Sequence, residues 1–161
     1  MVGASTIGTI VEWYDFYLYG TAAALVLNRV FFSNLDPLAG ILASYATFAV
    51  GFLVRPFGGL IFGHFGDKYG RKPILIATLL LMGFATAGIG MLPTYNSIGI
   101  VAPILLLSLR MLQGLGAGAE YSAAILFSAE YNSDRRGFFA SWPPAASDFA
   151  VALSAGVFAL F

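Results

Sequence analysis

A ten-residue island, Gly63-His64-Phe65-Gly66-Asp67-Lys68-Tyr69-Gly70-Arg71-Lys72, constrains the fold of this chain more than any other stretch. Apolar runs flank it on both sides, Leu38–Phe62 before and Ile74–Leu92 after, and each is long enough to cross a bilayer as a helix. Gly63, Gly66 and Gly70 carry no Cβ, which permits tight turns and close helix approach. Lys68, Arg71 and Lys72 put an excess of cations into a short loop, the mark of the cytoplasmic side of a membrane. Asp67 is the one acid of the island and is expected where a helix ends, placed to cap it or to pair with a base.

Composition supports lipid as the solvent. The chain is 59% hydrophobic and 10% charged, whereas soluble domains are about a quarter charged. The expected fold class is therefore an all-α integral membrane protein. Net charge is zero and the bases are clustered, which argues against a nucleic-acid partner. With no cysteine and one histidine, disulfides, thiol catalysis and a histidine or cysteine metal centre are excluded, and no cofactor is implied. An enzyme would need a nucleophile, a metal cluster or paired acids beside a groove, and the acids here are scattered. The amino terminus lacks a basic n-region, and Glu12 and Asp15 interrupt its apolar run, so it does not read as a cleaved signal peptide.

Five spans are expected, over residues 5–30, 38–62, 74–92, 98–128 and 138–161, with internal loops at 63–73 and 129–137. Five of the eight bases, Lys68, Arg71, Lys72, Arg135 and Arg136, fall in those two loops. The outer turns Ser33–Pro37 and Pro93–Ser97 have none. This asymmetry predicts a multi-pass protein with a cytoplasmic amino terminus. The last span ends on apolar residues, so 1–161 reads as part of a longer domain.

Charges inside the spans carry the functional expectations. Glu12 and Asp15 are three residues apart and share one face of the first helix, with Tyr19 a turn beyond. An acid at the centre of a membrane helix costs about 2.5–3.5 kcal/mol on insertion scales, so each must face protein or a wet cavity unless Glu12 reaches the headgroups. Arg29 is expected to snorkel to the interface. Arg55 precedes Asp67 by twelve residues, about 18 Å of helix. It therefore needs an acid, and Asp15 is the first choice. Pro56 frees a backbone carbonyl beside it. Gly59 and Gly63 form a small-x-x-x-small face for close packing, and His64 is expected to be solvated.

The third span is uncharged and reads as packing material. The fourth carries Arg110-Met111-Leu112-Gln113-Gly114 and Gly116-Ala117-Gly118-Ala119-Glu120, whose glycine spacing does not fit a dinucleotide loop. In the fifth, Asp148 lies eleven residues past Gly137, about 16 Å deep if helix runs throughout. Arg110 is its expected partner.

These motifs resemble a known superfamily. The pattern G-x-x-x-D-[K/R]-x-G-R-[K/R] in Gly63–Lys72 resembles the loop between the second and third helices of major facilitator superfamily transporters. Arg110-x-x-Gln113-Gly114 resembles their fourth-helix motif, in which the arginine is tied to proton coupling. Glu12-Trp13-Tyr14-Asp15-Phe16, followed by Tyr19-Gly20, looks like the first helix of the metabolite:proton symporters within that superfamily. Gly118-Ala119-Glu120-Tyr121 departs from their usual Gly-Gly-Glu-Trp but keeps the acid. Trp142-Pro143-Pro144-Ala145 lacks the glycine-rich motif of drug:proton antiporters, which favours import.

The resemblance implies the first five helices of the amino-terminal six-helix half of a major facilitator fold. It also implies alternating access, with proton-coupled import of a small organic acid or a zwitterionic metabolite. A uniporter or antiporter of the same fold, or a non-functional fragment of one, is the alternative. The partners implied are the substrate, protons, the lipid bilayer and a carboxy-terminal half. Glu12, Asp15, Arg55, Arg110 and Asp148 are the residues expected to bind or couple. The island, through Gly63, Asp67, Lys68, Gly70, Arg71 and Lys72, would act as a conformational latch, and acids of the second loop bridging to Arg71 would help to close it.

Overall fold

A computed structural model describes residues 2–131, 137–138 and 141–159. Every regular element among them is helical. Helix α1 (Val2–Ala22) continues through a π-helical turn, Ala23–Leu27, into the short α2 (Asn28–Phe31). Then come α3 (Pro37–Tyr69), α4 (Arg71–Gly90), the single turn α5 (Tyr95–Ile98), α6 (Val101–Tyr131) and α7 (Trp142–Ala159). Among the described residues, three helical stretches are long and apolar enough to cross a membrane: Pro37–Tyr69, Arg71–Gly90 and Val101–Ala119. The apolar stretch of α7, Pro144–Val157, is shorter.

Local chemistry sets the helix ends. Asp36 caps α3, its Oδ2 accepting from the Leu38 amide at 3.2 Å, and Pro37 occupies the first turn, where no amide is needed. Removing that cap in Asp36→Ala is expected to cost about 1 kcal/mol, read as a lowered thermal midpoint of the detergent-solubilised protein. A midpoint equal to wild type would refute the assignment. The basic island is not the open loop that was expected. Helix α3 runs to Tyr69 and α4 starts at Arg71, so the link is Gly70 alone, at φ 95 and ψ 146. Only glycine adopts that backbone region without strain. Asp67 therefore sits in the last turn of α3, exposed, and His64 is exposed on the same helix.

Helices α3 and α6 form the tightest pair, and glycine is the reason. A Cβ on Gly58 would fall on the Leu115 carbonyl, and one on Gly118 on the Arg55 carbonyl. One on Gly114 would meet the Gly51 carbonyl. The two helices touch backbone to backbone over these turns, the approach that small-residue faces permit. The expected Gly59–Gly63 face is half right. Gly59 lies against Gly118, whereas Gly63 meets nothing within 4 Å.

At the opposite end, Tyr19, Ala23, Leu27 and Phe31 pack on Ala102 and Leu106. Residues four apart in an α-helix drift about 40° per step. The wider π turn at Ala23–Leu27 offsets that drift and keeps the row on α6. Helix α7 lies along α1 and scarcely touches α6.

Candidate functional site

The α3–α6 contact positions the site. Gly114 and Gly118 follow Arg110 on α6 and press on the backbone of Gly51 and Arg55, so both arginines reach the same level of the bundle, facing α1. There they meet the two acids that share one face of α1. Arg55 pairs with Glu12 at 3.5 Å and Arg110 with Asp15 at 3.7 Å.

This pairing corrects both expected partners. Asp15 serves Arg110 rather than Arg55, and Arg110 does not meet Asp148. Glu12 is buried within protein rather than lying at a headgroup boundary, its side chain 2% exposed. Asp148 comes six residues into α7, about 9 Å by helical rise. Ala146, Ala150 and Ser154 form the buried face of α7, and Asp148 is exposed on the other side, without an ion pair among the described residues.

Each guanidinium is also caged by rings. Arg110 lies over Tyr19 at 3.9 Å from the ring centroid, with Phe48 at 5.5 Å and Phe16 at 5.7 Å. Arg55 lies 4.9 Å from both Phe16 and Phe52 and 5.7 Å from Trp13. Aromatic faces attract such cations most strongly where water is scarce, so the cages offset part of the desolvation cost.

Gln113 joins the Arg110 pair to α4. Its Oε1 accepts from Arg110, and its Nε2 donates to Asp15 Oδ2 and to Thr86 Oγ1 at 2.6 Å. A glutamine here serves both charges at once, its carbonyl facing the cation and its amide the anion. Tyr19 extends the network outward, donating to Thr47 Oγ1 at 2.6 Å, while Thr47 donates to the Ser44 carbonyl at 2.7 Å. Thr86, like Thr47, is a member that sequence reasoning missed. It is a hydroxyl in a span read as packing material, and only its distance from Gln113 reveals it. Gly114, the last residue of the fourth-helix motif, is buried at the α3 contact.

The island lies apart from these charges. Gly63, Gly66, Asp67 and Arg71 line a groove of about 560 Å³ between α3, α4 and α6, with Thr78 at its wall. Lys68 and Lys72 are exposed beside it. The proposed bridges from the second loop to Arg71 lie outside the described residues, as do the side chains of Glu120 and Glu130.

Two arginine–acid pairs joining α1 to the membrane-length helices α3 and α6, each with one buried member, and the basic glycine link agree with the family comparisons. The sugar (and other) transporter family model matches residues 1–161. The shikimate transporter of Escherichia coli (strain K12) is 49% identical over 154 residues, 95% of this chain and 35% of that protein. The proline/betaine transporter of the same strain is 48% identical over 160 residues, covering 99% of this chain and 32% of that protein. The inner membrane metabolite transport protein YhjE, also from that strain, is 47% identical over 158 residues, 98% of this chain and 36% of that protein. The chain thus spans about a third of the length of these curated relatives. No solved structure matches it. The chain belongs to the sugar (and other) transporter family of the major facilitator superfamily.

Proposed function

We propose that this chain forms the amino-terminal part of a secondary transporter that imports a small carboxylate-bearing or zwitterionic metabolite together with protons. The observation that carries this reading is the Asp15–Arg110–Gln113 cluster, an ion pair held within a bundle of membrane-type helices. A buried arginine lets one proton on its partner acid have a large effect. Protonating Asp15 cancels its attraction for Arg110 in a low-dielectric site, and that loss can tip a balanced two-state equilibrium. Alternating access requires such an equilibrium. Relatives whose names specify shikimate and proline/betaine transport support the substrate class.

In this reading the Gly63–Lys72 link and the second basic loop face the cytoplasm, as their five bases favour. The link latches one conformer at the inner helix ends. Asp148, on the outward side of α7, is the acid left to meet substrate or the other half of the transporter.

The test is uptake of labelled shikimate, proline and glycine betaine into vesicles holding the full-length transporter, with and without an inward proton gradient. Gradient-driven accumulation of one of them is expected, and in Asp15→Asn it should fall to the gradient-free level. Asparagine keeps an oxygen for the Gln113 amide and removes only the charge. Uptake indifferent to both gradient and substitution would reject symport and leave a facilitator of the same fold.

A further inference from the structure

The two ion pairs line a small cavity, about 20 Å³, together with Gly51, Gln113 and others. One water needs about 10–15 Å³ of such space together with two to four polar partners. Arg110 is 3% exposed, and its Nε is a buried donor with no hydrogen-bond partner among the described residues. That nitrogen lies beside Gly51, one of the lining residues. A buried donor of this kind demands an acceptor. Two carboxylates and two guanidiniums make the lining formally neutral, which selects against a bare cation or anion. Their charge selects against an apolar guest.

We propose that this cavity binds one water, which accepts from Arg110 Nε and donates toward Glu12 and Asp15, so that the two ion pairs take up a proton as one unit. The titratable and charged groups lining it are Glu12 and Asp15 from α1, Arg55 from α3 and Arg110 from α6, with Tyr19 of α1 against the Arg110 guanidinium. Helix α4 brings only Met82 and Thr86, neither titratable, and α7 meets α1 through Ala146, Ala150 and Ser154. The first proton neutralises one acid and leaves the unit with net positive charge, so a second proton is resisted and the titrations are coupled. The proton passes between the acids as the water gives a hydrogen to one carboxylate and takes one from the other, and the water is regenerated. This deepens the coupling role proposed for Asp15, but it concerns proton binding alone and is read without transport.

Infrared difference spectra of the purified full-length transporter across pH provide the test. In wild type, a water O–H band that shifts in H₂¹⁸O is expected. It should vanish in Gly51→Ala, whose added methyl would sit 3.3 Å from Arg110 Nε. In Glu12→Gln, the protonated-carboxyl band of Asp15 should titrate with its midpoint moved by about one pH unit or more. Asp15→Asn should move the Glu12 band likewise. Unmoved midpoints, or a water band missing from wild type or surviving in Gly51→Ala, overturn the proposal. Should Gly51→Ala fail to fold, the two carboxyl variants decide it.

Discussion

Gly118→Val is expected to abolish recovery of folded protein, while Gly83→Val leaves it near wild type. Both replace a helical glycine in an apolar span, so lipid solvation and helix propensity change alike. What differs is the neighbour. A Cβ at Gly118 lands on the Arg55 carbonyl, a backbone atom that cannot turn aside, whereas one at Gly83 meets nothing within 4 Å. Overpacking against a side chain costs about 1–3 kcal/mol, and against backbone the helices must separate. Separation would also draw Arg55 and Arg110 away from α1, so packing and charge pairing fail together. Monodisperse elution after detergent extraction is the readout, and equal recovery of the two variants would show that α3 and α6 are not in backbone contact.

Asp15→Ala should destabilise the protein by about 3–5 kcal/mol, because it leaves a buried arginine without its countercharge. Arg110 is 3% exposed and cannot reach bulk solvent without leaving its cage of Tyr19, Phe48 and Phe16. The double variant Asp15→Ala/Arg110→Met should recover much of the loss, since an apolar side chain of similar length needs no partner. Glu12→Ala should cost less, because the Arg55 side chain is 20% exposed and can recruit water. Thermal midpoints of Asp15→Ala, Arg110→Met, the double variant and Glu12→Ala, with wild type as reference, form the comparison. If the double variant fell as far as the sum of the singles, Asp15 and Arg110 would not be a pair. Transport should be lost in every variant lacking Asp15, even where stability returns, and that separates the two roles.

Much of the architecture was legible in the chain itself. Apolar runs of bilayer length, the bases gathered into two islands and the acids three apart on one face each follow from local spacing, and local spacing is what a sequence contains. Arg55 and Arg110 were recognisable as residues in need of acids because a charge far from any polar flank has few other solutions.

Which acid each arginine meets was not legible. Depth along a helix comes from counting residues, but a partner also depends on azimuth, and azimuth is set by how helices are rotated and packed against one another. Asp148 shows the limit. Counting placed it at a plausible level, yet α7 turns Ala146, Ala150 and Ser154 inward and Asp148 the opposite way. Thr86 entered the site for the same reason, brought to Gln113 by the packing of α4 on α6. The opening of the island into a loop was a local misreading, since Gly70 alone makes the link and its neighbours stay helical. Sequence by itself determined the membrane class, the helical character and the identities of the buried charges, because these depend on composition and short-range order. Tertiary structure alone decided the pairing of Glu12 with Arg55 and Asp15 with Arg110, because the glycine-mediated contact of α3 with α6 sets where both guanidiniums stand.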